Sequence, residues 1–143
     1  MTLILVITLA AVAVAGAPPA VRLLDRKAGW PLAALFIAGA VALGRELPAV
    51  IDGRPLTFDY VWVTDVVAPG MDVSIALRGD ALGVFFALLA LVIGAVVFIY
   101  SAAYLPQGRG NTSFYTIMTA FTLSILLLVL ADDVILLFLA WEL

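Results

Sequence analysis

Long uncharged runs alternate with short polar ones along this chain, and their lengths suit the thickness of a hydrocarbon layer. From Thr2 to Val21 no residue is charged, a run of about twenty that can cross roughly 30 Å as a helix. Arg22, Asp25, Arg26 and Lys27 follow at once. The second uncharged run, Ala28 to Gly44, holds about seventeen residues, close to the shortest that spans. A third covers Ala81 to Gly108, and the amphipathic rings of Tyr100 and Tyr104 with the helix breaker Pro106 mark an interface near its end. The fourth extends from about Asn111 to Ala131 and opens on Asn111, Thr112 and Ser113, residue types that cap helix starts.

Between Arg45 and Arg78 the pattern changes. Acids recur at Glu46, Asp52, Asp59, Asp65 and Asp72, with Pro48, Gly53, Pro55, Pro69 and Gly70 among them, so this stretch lies outside the membrane. Within it Leu56 to Val66 alternates as a strand, with Phe58, Tyr60 and Trp62 on one side and Thr57, Asp59, Val61 and Val63 on the other. Ala68-Pro69-Gly70 signals a turn, and Val73 to Leu77 returns as a second strand. The chain therefore divides into residues 1–44 (two helices), 45–79 (a hairpin loop) and 80–143 (further helices).

Composition sharpens this picture. Of 143 residues 66% are hydrophobic and 12% charged, whereas soluble domains run near half apolar and about a quarter charged. So much apolar surface cannot be hidden in a domain this small, and lipid must cover the rest. The absence of Cys and His removes thiolate and imidazole metal sites, a Cys nucleophile and any Ser-His relay. No cofactor fingerprint and no nucleophile-base pair is visible, so no catalytic residue is assigned. The seven basic residues never form a run, which excludes a nucleic-acid partner.

Ala13, Ala15 and Ala17 offer small-x-small sites of the secretory-signal type, yet the positive cluster follows the apolar core instead of preceding it, which favours a retained helix. Pro18 and Pro19 are expected to kink or end that helix. Short cytoplasmic loops collect Lys and Arg. Arg22, Arg26 and Lys27 in one connection and Arg109 in another share a side if all four runs span, which puts Met1, the acidic hairpin, Asp132 and Asp133 outside. Arg45, Arg54 and Arg78 are spread through a long loop, where the rule is weakest.

After Asp132 and Asp133 the sequence turns apolar again through Val134 to Trp141, then places Glu142 before Leu143. If the aspartates mark the outer surface, Glu142 lies on the order of 13 Å further in, near mid-membrane. About eleven residues are too few to span, so more of the same polypeptide or another chain is expected to complete the helix. A carboxylate at the bilayer centre costs about 2.5 to 3.5 kcal/mol unless compensated. Lys27 sits in a loop and every arginine is expected outside the core, so the partner of an ionised Glu142 must come from elsewhere. The bland alternative is a surface charge beside an interfacial Trp141. An inserted acid beside water could relay protons or bind Na⁺, and spacing does not choose between them.

Thr112, Thr116, Thr119, Thr122 and Ser124 recur partly at three to four residue intervals, near one face, where hydroxyls can bond across helices or back to their own carbonyls. Packing is the favoured reading over hydration of an ion path. Gly16, Gly39, Gly44, Gly83 and Gly94 read as close helix contacts. Asp80 reads as an N-cap of the third run before any role in transport.

Leu77-Arg78-Gly79-Asp80-Ala81-Leu82, the Ile99-Tyr100-Ser101 turn region with Tyr104 after it, and Val129-Leu130-Ala131-Asp132-Asp133 followed by Leu139-Ala140-Trp141-Glu142-Leu143 resemble the start of the antiporter-like subunits shared by Mrp-type cation/proton antiporters and respiratory complex I. The likeness covers most of Leu77 to Leu143, while the first two runs agree only in placement. A Trp-Glu-Leu string is similar to the large A subunit of the Mrp antiporter; the complex I counterpart usually has Trp-Glu-Gly. The resemblance implies that Glu142 lies on a fifth helix and pairs with a lysine on a later helix in a proton route. It also implies that this chain reaches only the start of the first of two inverted repeats.

The expected architecture is an all-α integral membrane protein of four transmembrane helices plus the start of a fifth, with a short extracytoplasmic β-hairpin between the second and third. The expected function is the N-terminal part of a multisubunit Na⁺ or K⁺/H⁺ antiporter A subunit in the plasma membrane, a transporter component and no enzyme. Glu142 is the path residue, with Asp80, Asp132, Asp133, Trp141, Thr119 and Thr122 as supporting candidates. Other antiporter subunits, the chain completing the fifth helix, the transported ions and the bilayer are its partners; no cofactor or metal is called for. The rivals are a proton-pumping complex I subunit and a non-transporting scaffold.

Overall fold

The computed structural model describes residues 1–63, 73–106, 108 and 110–143. Two long helices form first: α1, Thr2–Leu24, and α2, Gly29–Arg45, joined by a single 3-10 turn at Asp25–Ala28. They run antiparallel, since the Thr2 hydroxyl at the start of α1 donates to Glu46 Oε1 just past α2, at 2.7 Å. Pro18 and Pro19 lie inside α1, which neither of them ends; the carbonyls left without N–H partners are tolerated in a helix that lipid and neighbouring helices enclose. A short helix α3, Leu47–Ile51, which the sequence pattern does not announce, leads to the strands β1, Leu56–Val63, and β2, Val73–Gly79. Helices α4, Ala81–Tyr104, α5, Asn111–Leu130, and α6, Val134–Glu142, complete the chain.

Among the described residues three helical stretches are long and apolar enough to cross a membrane: Thr2–Arg45, Ala81–Tyr104 and Asn111–Leu130. The first is the folded α1–α2 pair. On α1 the buried stripe is Leu3, Val6, Ala10, Ala13, Ala17 and Val21, a spacing of three and four that keeps small side chains toward the core and lets neighbours approach. Phe36 of α2, Phe98 of α4 and Tyr115 of α5 stack in series through the middle, with centroids 5.1 and 5.9 Å apart. Outward faces stay apolar: Leu82, Phe85, Val96, Ile117 and Phe121 are all more than half exposed, as a lipid-facing surface requires.

The two strands pair antiparallel from Leu56 opposite Gly79 to Val61 opposite Ser74, with an irregularity before Val63. The strand expectation thus holds in its first eight residues; the turn signal at Ala68-Pro69-Gly70 and the Trp62 side chain lie outside the described residues. A main-chain bridge ties Leu77 to Ala131, and the Asp132 N–H donates to the Ala76 carbonyl at 3.0 Å. The hairpin therefore sits at the end of the bundle that carries Thr2, Glu46, Asp80 and Asp132.

Three local expectations are corrected. Ile99-Tyr100-Ser101 is no turn: α4 continues to Tyr104, with Ser101 buried and its hydroxyl on the Val97 carbonyl. The third helix stops there, short of Gly108. Asn111, Thr112 and Ser113 do not cap α5; the cap position is Gly110, at φ 113°, a backbone geometry that suits glycine, and the Asn111 side chain is spent on a distant partner.

Candidate functional site

Helix α6 begins with a well-made cap. Asp133 Oδ1 accepts from the N–H of Ile135 at 2.7 Å and of Leu136 at 3.4 Å, satisfying two of the amides that a helix start leaves free and favouring the positive end of its dipole. Asp132, beside it, is exposed, and its contribution is the main-chain bond to Ala76. Glu142 is the last residue of this nine-residue helix, on the order of 13 Å along the axis from the cap. Its side chain is exposed, and it takes part in no ion pair among the described residues, where the single pair, Arg54 with Asp52 at 3.6 Å, belongs to the loop after α3.

The remaining candidates separate into two groups. Trp141, 75% exposed, lines an apolar groove of about 500 Å³ between α5 and α6 with Ile117, Phe121 and Ser124. Thr119 and Thr122 lie on the opposite, bundle-facing side of α5. Both are buried; Thr119 donates to the Tyr115 carbonyl at 2.8 Å and Thr122 to the Met118 carbonyl at 2.9 Å. A β-carbon on Gly94 of α4 would meet the Thr122 hydroxyl at 3.4 Å. The hydroxyls therefore do not share one face: Ser124 turns to α6, Thr119 and Thr122 to the core. All three bond back to their own helix, the packing alternative raised by the pattern.

Asp80 caps α4, its Oδ1 accepting from the Gly83 N–H at 2.7 Å. It stands at the same end as Asp132 and Asp133, away from Glu142 by the length of α6. The structure thus gathers three acids at the hairpin end in capping or surface roles and leaves Glu142 alone.

At the opposite end a polar knot joins the two helix pairs. Asp25 sits at φ 51°, a strained backbone for a residue with a β-carbon, worth about 1–3 kcal/mol. Its carboxylate accepts from Asn111 Nδ2 at 2.7 Å and the Gly108 N–H at 3.1 Å. Asn111 Nδ2 also reaches the Pro106 carbonyl, Tyr115 donates its buried hydroxyl to the Arg26 carbonyl at 2.7 Å, and Arg26 Nη1 reaches the Leu105 carbonyl at 3.3 Å. Sequence reading missed this knot because its partners lie some eighty residues apart. An Asn and a Tyr one turn apart at the start of an apolar helix were the available signal.

An apolar helix bundle closed at one end by a hairpin, with three helical stretches long and apolar enough to cross a bilayer among the described residues, defines a polytopic membrane protein. Residues 62–115 match the family described as NADH-Ubiquinone oxidoreductase (complex I), chain 5 N-terminus. Proteins named as antiporter subunit mnhA2 are similar: one from Staphylococcus aureus (strain MRSA252) is 32% identical over 123 residues, covering 85% of this chain and 15% of that protein. Another, from Staphylococcus haemolyticus (strain JCSC1435), is 33% identical over 125 residues, covering 86% and 15%. In three dimensions the chain superposes on one in the structure of the Mrp complex from Dietzia sp. DQ12-45-1b with a TM-score of 0.75 and 38% identity, over 99% of this chain and 15% of that one. What the chain is similar to in these comparisons is the N-terminal part of an A-type subunit of an Mrp complex. The chain spans 15% of the length of the relatives it matches.

Proposed function

We propose that this chain contributes the N-terminal portion of a monovalent cation/proton antiporter A subunit, with Glu142 as the member of an ion path whose basic partner lies outside these residues. The observation that carries the reading is the placement of one carboxylate at the far end of an otherwise apolar helix that starts at a capped, polar boundary. Helix packing alone gives no reason to set an acid there, and its insertion cost calls for a counter-charge or water. In this reading α1, α2, α4 and α5 each cross the bilayer, α6 is the first half of a fifth crossing, and the hairpin and Met1 face the outside of the plasma membrane. Asp25, Arg26 and Lys27 then face the cytoplasm, in keeping with the bias of short loops toward cations.

The runner-up is a proton-pumping subunit of complex I, favoured by the description of the family matched over residues 62–115. The relatives named as antiporter subunits and the Trp141-Glu142-Leu143 string favour the antiporter. The test is Glu142→Gln in the assembled complex, read as Na⁺- or K⁺-driven proton movement in inverted vesicles. Loss of most exchange at unchanged assembly is the expected result. Near-normal exchange would defeat the assignment, and a scaffold would also tolerate Glu142→Leu.

A further inference from the structure

We propose that the turn between α1 and α2 is a binding site for the phosphate of an anionic phospholipid, with Arg22, Arg26 and Lys27 as its cations. These three stand within six residues at one end of the bundle. Arg22 and Lys27 are exposed, and Arg26 is half-buried. The acid among them, Asp25, is already engaged, its two oxygens accepting from Gly108 and Asn111. None of the three cations takes part in an ion pair among the described residues, so the turn keeps its positive charge.

Arg26 supplies the second observation. Its Nη1 donates to the Leu105 carbonyl at 3.3 Å, which fixes the guanidinium against the end of α4, while its Nε is buried without a hydrogen-bond partner. A buried donor left unmade costs more than a typical bond contributes. Two oxygens of one phosphate accept parallel N–H bonds from a guanidinium fork, and an outward turn of the half-buried Arg26 side chain would present its Nε to them. The surroundings suit a lipid better than a free ion. Leu23 is 84% exposed, Trp30 56% and Tyr104 72%, so apolar and interfacial side chains flank the cations where acyl chains and glycerol would lie. This site is remote from Glu142 and independent of its role.

The test is native mass spectrometry of the detergent-solubilised protein titrated with dioleoyl phosphatidylglycerol or dioleoyl phosphatidylcholine. The wild type should retain the anionic lipid in preference. Arg22→Gln with Lys27→Gln should lower that preference by roughly twenty-five-fold, about five-fold for each cation removed near an anionic headgroup. These side chains are exposed, so the double variant should fold; Arg26→Gln should lower the preference too, while Arg54→Gln at the far end should not. Equal retention of both lipids, or an unchanged preference in the double variant, overturns the proposal. Displacement of the lipid by comparable amounts of inorganic phosphate would assign the site to a free anion and overturns it as well.

Discussion

Gly29 opens α2 at a point where three groups crowd it. A β-carbon there would overlap the Phe98 carbonyl oxygen and stand 2.8 Å from the Tyr115 hydroxyl and 2.9 Å from Ala102 Cβ. The backbone of Gly29 is ordinary helix, φ −57° and ψ −31°, so alanine meets no local strain and the whole effect comes from packing. Main-chain oxygen cannot swing aside as a side chain can, and α2 must back away from α4. Overpacking of this kind costs about 1–3 kcal/mol. Pushing the Tyr115 hydroxyl off the Arg26 carbonyl removes about 1 kcal/mol more. Gly29→Ala should therefore destabilise by about 3 kcal/mol. The internal control is Gly16→Ala: nothing lies within 4 Å of its added carbon, and in a helix interior the exchange should stabilise by about 0.5–1 kcal/mol. Unfolding in mixed micelles with rising dodecyl sulfate measures both. The two substitutions should move the midpoint in opposite directions, and a common direction would refute the close crossing of α2 and α4.

Tyr115→Phe, which keeps the ring against Phe98 and removes the hydroxyl, should cost about 1 kcal/mol in the same assay, the net worth of one such bond. Asp80→Asn keeps an acceptor at the α4 cap and should leave stability and exchange near wild type, whereas Asp80→Ala should cost about 1 kcal/mol. A full loss of exchange in the asparagine variant at normal stability would give Asp80 a transport role.

The long apolar runs made the helices legible, because 1.5 Å per residue and a slab of fixed thickness leave little freedom in how such a sequence folds. The strands were legible from the alternation of Leu56 to Val63, where residues of a half-exposed surface must change sides each step. What stayed hidden depends on contacts between distant positions. Asn111 carries the signature of a helix cap and serves Asp25 from the other helix pair instead. The hydroxyls of α5 look like one polar stripe, yet Thr119, Thr122 and Ser124 each bond back to a carbonyl of their own helix, so these three can be divided between two faces without cost. Pro18 and Pro19 would end a helix in water, where freed carbonyls are better solvated outside it; enclosed on all sides, the helix continues. For Glu142 the sequence carried the isolation of the acid, which takes part in no ion pair among the described residues.

The two ends of the bundle are fastened by different kinds of chemistry. Strand pairing, the Leu77 to Ala131 bridge and the Asp132 amide on Ala76 use main-chain atoms that every residue type except proline possesses. A carboxylate, a carboxamide and a phenol hold the other end, and few exchanges among the amino acids reproduce them. Drift among orthologues should thus be permissive around the hairpin and restrictive around Asp25, Asn111 and Tyr115, and grafting of foreign loops should succeed at the first end and fail at the second.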